Sequence, residues 1–101
     1  MDFRIENTPR GLRLALRGRL TFAENGDFRG VLARLCESAA PIGRVEVDLG
    51  DVEFIDSAGL GLLLQARDAV RKCQGDIALV EARGQVNRML GLVCYQDLFA
   101  V

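Results

Sequence analysis

Two strand-like runs, the alternating Arg44-Val45-Glu46-Val47-Asp48-Leu49 and the apolar Ile77 to Val80, enclose a segment whose apolar residues recur at helical spacing. Strand, helix and strand in that order read as a right-handed crossover unit with two parallel strands. The first run turns Val45, Val47 and Leu49 to one face. A short polar loop at Gly50-Asp51 is expected next, leading to the apolar stretch Val52-Glu53-Phe54-Ile55. Asp56-Ser57 then opens the longest helix, about 57–74, and Gly75-Asp76 precede the second strand.

The flanking segments complete a mixed sheet. Phe3 and Ile5, then Leu12, Leu14 and Leu16, alternate with polar residues and predict strands over 3–7 and 12–20. Thr8-Pro9-Arg10-Gly11 lies between them, with proline second and glycine fourth, the signature of a type I turn in a β-hairpin. Phe28, Val31, Leu32, Leu35 and Cys36 form one stripe of a helix over about 25–39, which Pro41 and Gly43 end. Val86, Met89, Leu90, Val93 and Cys94 fall in register for a helix over about 84–94, and Leu98 to Val101 read as a short edge strand. With 101 residues there is room for one domain, taken as 1–101.

Composition excludes several function classes. The chain has no histidine, which removes Ser-His-Asp and Cys-His catalysis, most zinc chemistry and imidazole pH switching. A net charge of −1, with basic residues scattered along the chain, argues against nucleic acid. Cys36, Cys73 and Cys94 form no Cys-x-x-Cys pair and read as buried small hydrophobes in a reducing compartment. The N-terminus lacks the basic-then-apolar run of a signal peptide, and no apolar run approaches the ~20 residues that span a bilayer. A cytoplasmic protein without cofactor, metal or membrane insertion, monomeric or weakly dimeric, is the expectation.

Chemistry concentrates in Phe54-Ile55-Asp56-Ser57-Ala58-Gly59-Leu60-Gly61-Leu62-Leu63. A strand end delivers an Asp-Ser pair to a helix N-terminus, where either Asp56 or Ser57 can cap and where the helix dipole favours negative charge. Gly59-x-Gly61 lacks the third glycine of a dinucleotide fingerprint, there is no P-loop lysine, and Ser57 lacks the preceding glycine of a nucleophile elbow. No acid–base constellation is visible, so an enzyme is not expected.

The alternating strand Val45–Leu49 followed by Asp56-Ser57-Ala58-Gly59-Leu60-Gly61 resembles the STAS domain, the family of anti-sigma factor antagonists and of the cytoplasmic domains of sulphate transporters. Leu16-Arg17-Gly18-Arg19-Leu20 is similar to the stretch where antagonists typically read Gly-x-Leu-Asp, with Thr21 at the aspartate position. The resemblance implies a single α/β STAS-type domain, a mixed sheet of N-terminal hairpin plus parallel βαβ strands with helices mainly on one face. It also implies that Ser57 is a reversible phosphoacceptor. The unmodified protein would bind an anti-sigma factor that is itself a serine kinase. The alternative partners are the ATPase subunit of a lipid-transport ABC complex or a stress-signalling assembly, bound constitutively. Asp56 is then the acidic neighbour of the switch, Gly59 and Gly61 allow close approach of the partner, and Thr21 to Asn25 contribute to the docking rim.

Periodicity on the long helix bears on the same surface. Leu62, Leu63, Ala66, Ala69, Val70 and Cys73 share one arc, the core face. Leu60 and Leu64 fall outside it, on the side of Ser57. They either pack under a neighbouring helix or loop, or form an exposed ridge of the docking rim.

Overall fold

Alternation in the N-terminal segment produces an antiparallel hairpin in which β1 (Asp2–Thr8) pairs with β2 (Gly11–Leu20) from Asp2↔Arg17 to Thr8↔Gly11. The structure is a computed structural model that describes residues 2–9, 11–35, 43–93 and 98–99. Arg10, on which the turn type depends, lies outside them, as do Cys36, Cys94 and the expected helix ends at 36–39 and 94. A 3-10 turn (Phe22–Glu24) and helix α1 (Asn25–Leu35) lead towards the next strand.

β3 (Gly43–Ile55) is one continuous strand of 13 residues, and no loop interrupts it at Gly50-Asp51. Its buried side chains change phase twice: Val45, Val47 and Leu49, then Val52, then Ile55. Pairing with β2 explains both changes. Ala15 and Arg17 stand opposite Asp48 and Asp51, and Gly18 and Arg19 opposite Val52 and Phe54, so β3 carries one extra residue at each place. An extra residue moves every following side chain to the other face, and two of them let three apolar groups of different parity reach one core. The Asp48 carboxylate accepts from Gly50 N–H at 2.8 Å and holds the first irregularity.

Helix α2 (Ser57–Lys72) carries the chain back to β4 (Gly75–Val80), and α3 (Gly84–Leu92) follows. The sheet order is β1-β2-β3-β4, with β2, β3 and β4 parallel. Leu14, Leu16, Leu20, Val45, Val47, Leu49 and Ile77 bury one sheet face against Phe28, Val31, Leu63, Val70, Val86 and Leu90 of the helices. The opposite face is charged: Arg13 lies 3.0 Å from Asp48 and 3.7 Å from Glu46. Such partly exposed pairs contribute only about 0–1 kcal/mol, but they keep that face in water.

Three further points differ from expectation. α2 stops at Lys72 because Gln74 takes a left-handed conformation (φ 61°) that turns the chain into β4. Cys73 caps that helix as a free thiol and is half-buried, where full burial was expected, because the chain leaves the core there. Leu98 and Phe99 lie in a turn and not in an edge strand, yet Phe99 is buried in the core; Ala100 and Val101 are outside the described residues. No described helix is long and apolar enough to cross a membrane.

Candidate functional site at the N-terminus of α2

β2 and β3 end side by side, with Leu20 paired to Ile55. Beyond that pair the two chains part. β2 runs into Thr21, whose carbonyl accepts from Glu24 N–H at 3.0 Å to close the 3-10 turn. β3 runs into Asp56, whose N–H donates to the Leu20 carbonyl at 3.4 Å. Asp56 has an extended backbone (φ −111°, ψ −177°), and its Oδ1 accepts from Gly59 N–H at 2.7 Å while its carbonyl accepts from Leu60 N–H at 2.9 Å.

Asp56 is therefore the N-cap, and Ser57 is the first helical residue. Ser57 is exposed, and no described residue hydrogen-bonds its hydroxyl. Aspartate takes the cap because its carboxylate, one residue earlier, spans to the orphan Gly59 N–H at the positive end of the helix dipole. Removing the cap with Asp56→Ala is expected to cost about 0.5–2 kcal/mol, whereas Ser57→Ala should stay within about 0.5 kcal/mol of wild type. Urea unfolding of the two variants checks this, and equal losses would return the cap to Ser57.

The two glycines of the motif have different roles. A β-carbon on Gly59 would run into the Leu20 carbonyl oxygen and crowd Ile55, so this glycine seats α2 against the end of β2. That corrects the expectation that Gly59 makes room for a partner. Gly61 is unlike it: a β-carbon there meets nothing within 4 Å.

Leu60 is only 8% exposed and belongs to the core cluster, and Leu64 is half-buried against the same cluster. The exposed leucine ridge does not exist, and the packed alternative holds. α1 packs on α2, and Arg67 Nη1 donates to the Leu98 carbonyl at 3.2 Å, which ties residue 98 to α2. Thr21 is half-buried beside the Leu20–Asp56 junction; Asn25 opens α1, and its side chain lies outside the described part.

Sequence reasoning passed over Phe22. It is 74% exposed on the 3-10 turn, which lies against α2. The available signal was an aromatic residue outside any periodic run, in a loop already placed at the rim. The start of α2 thus carries an uncommitted hydroxyl, a capping carboxylate and an open glycine, and the turn with the exposed aromatic ring lies against the same helix. A phosphate on Ser57 would add about −1.5 to −2 charge next to Asp56. Gly59 N–H and Leu60 N–H are already engaged by Asp56. Among the described residues, no group of three or more cysteine, aspartate or glutamate residues is placed to hold a metal ion.

A family model described as Mlab, STAS domain, matches residues 3–98. The chain is 30% identical over 90 residues to a STAS-domain containing protein of Pseudomonas aeruginosa, covering 89% of this chain and 86% of that one. Its fold is similar to an anti-sigma-factor antagonist (STAS) domain protein from Planctomyces limnophilus, with a TM-score of 0.79, 20% identity, and 98% and 87% of the two chains covered. It is similar also to the Bacillus cell fate determinant SpoIIAA in its phosphorylated form, with a TM-score of 0.68, 17% identity, and 96% and 87% covered.

Proposed function

This chain belongs to the STAS domain family, and from that premise we propose that it is an anti-sigma factor antagonist whose binding is switched by phosphorylation of Ser57. The fold is that of anti-sigma factor antagonists, and the family is generally non-enzymatic. The partner proposed is an anti-sigma factor with serine kinase activity, met in the cytoplasm.

The observation that carries this reading is the freedom of the Ser57 hydroxyl. A serine used as an N-cap would be held by a backbone N–H and withdrawn from a kinase. Here Asp56 takes that task, and Ser57 stands exposed at the first helical position. Unmodified, it offers a partner a neutral hydroxyl one helical turn from Gly61, on the helix against which the Phe22 turn lies. Phosphorylated, it offers two negative groups in succession, and like charge juxtaposed at an interface costs several kcal/mol. The likeness to SpoIIAA, which has been solved phosphorylated, supports the same reading.

The test is a pull-down from the native cell with wild type, Ser57→Ala and Ser57→Asp, together with mass spectrometry of the peptide that contains Ser57. Wild type and Ser57→Ala should retain the same partner, and Ser57→Asp should lose roughly 100-fold in affinity with its melting temperature unchanged. Phe22→Ala should weaken the same complex by about tenfold or more, since exposed aromatic anchors dominate interface energy. Equal affinities of wild type and Ser57→Asp would sink the switch and point to a constitutively bound subunit.

A further inference from the structure

β4 ends at Val80, opposite Asp48, so among the described residues the rest of β3 has no strand on that side. The segment that follows β4 fills the vacancy with side chains. Arg83 Nε donates to the Gly50 carbonyl at 3.0 Å. Further along, Gln85 grips Ile55 at both backbone groups: its Oε1 accepts from Ile55 N–H at 2.9 Å and its Nε2 donates to the Ile55 carbonyl at 2.7 Å. One side-chain amide thus reproduces the donor–acceptor pair that a neighbouring strand would offer. Ile55 is the last residue of β3, and the next two are Asp56 and Ser57.

We propose that Gln85 is the positioning residue of the Ser57 segment, coupling α3 to the first turn of α2 through the Ile55 peptide groups. Its leverage comes from rigidity at both ends. Val86 and Leu90, both fully buried, seat α3 on the core at one end, and at the other Leu20 pairs with Ile55 and accepts from Asp56 N–H. Between these two anchors the Gln85 amide sets the height and tilt at which the chain enters α2. A partner that displaces α3 therefore changes the presentation of Ser57, and a modification at Ser57 is felt at α3. This consequence rests on the switch proposed for Ser57, whereas the positioning itself does not.

The experiment needs no partner, so it fails or succeeds independently of the switch. Backbone amide shifts and hydrogen exchange are followed at Ile55, Ser57 and Ala58 in wild type, Gln85→Ala and Gln85→Glu. In Gln85→Ala the Ile55 amide should exchange about tenfold faster, the loss expected for one net hydrogen bond, and the Ser57 and Ala58 resonances should move while Val47 and Leu79 stay in place. Gln85→Glu supplies a rescue that a merely space-filling role would not show. A neutral carboxyl has the same donor and acceptor as the amide, but an ionised one can only accept and faces the Ile55 carbonyl. Its resonances should differ from wild type near pH 7 and converge on it as the acid protonates. Charged groups around Gln85 are Arg17, Asp51, Glu53 and Arg83 of the same groove and Arg88 on α3, and Asp56 directly follows the Ile55 that Gln85 holds. Comparison with wild type at each pH cancels their titration. If Gln85→Ala does not fold, the acid-end convergence of Gln85→Glu decides alone. Unmoved Ser57 and Ala58 resonances in a folded Gln85→Ala, or no convergence in Gln85→Glu, would overturn the proposal.

Discussion

Gly59→Ala is expected to destabilise the domain by about 2–3 kcal/mol, while Gly61→Ala, the same change two positions on, stabilises it by about 0.5–1 kcal/mol. At Gly59 the added methyl meets the Leu20 carbonyl, a backbone atom held in the β2–β3 pairing, so nothing nearby can rotate away. Either α2 lifts off the sheet end or β2 shifts its register, and both unpick the junction that carries Asp56. At Gly61 the methyl enters open space, and alanine relieves the entropy that glycine loses in a helix. For a domain of this size each kcal/mol moves the melting temperature by roughly 4–8 °C, so the two variants should melt well apart and on opposite sides of wild type. If partner approach is the reason for Gly61, the more stable Gly61→Ala protein should also bind its partner less tightly. Coincident melting of the two variants would contradict the packing assigned to Gly59.

Leu63→Ala should cost about 2–5 kcal/mol, the range for a leucine truncated in a full core. Leu63 is completely buried, and α2 rests on β4 and β3 along this face. Leu60→Gln should approach the same loss, since it puts an amide where only 8% of the side chain meets solvent. Leu64→Gln should fall between that and a surface change, about 1 kcal/mol, because Leu64 keeps part of its surface in water. Three denaturant melts rank them. Should Leu60→Gln leave stability untouched, Leu60 faces outward and the exposed ridge must be reinstated.

The element order was legible in the sequence because strand and helix periods are local properties: alternation over Val45–Leu49 and the Leu62, Leu63, Ala66, Val70 arc need no knowledge of neighbours. The continuity of β3 was not. Gly50-Asp51 has the chemistry of a turn, and only pairing with β2 shows that the strand absorbs it as an irregularity. A helical wheel separates the core arc of α2 from the rest but says nothing of what lies over the flank. Leu60 and Leu64 are left open by the wheel for that reason, and only the packed core shows that Leu60 is buried in it and Leu64 half-buried against it.

At the site the division is sharper. The sequence by itself determined that an Asp-Ser pair stands between a strand and a helix, and its resemblance to STAS domains singled out Ser57. Choosing the cap required the Asp56–Gly59 distance, because aspartate and serine are both good caps and no local rule ranks them. The exposure of Phe22, the contact that makes Gly59 obligatory and the Gln85 grip on Ile55, 30 residues away, belong to tertiary structure alone. Each depends on which backbone ends beside which. Sequence patterns record the period of a segment, but the free valences at the end of a sheet are matched only after the strands have paired.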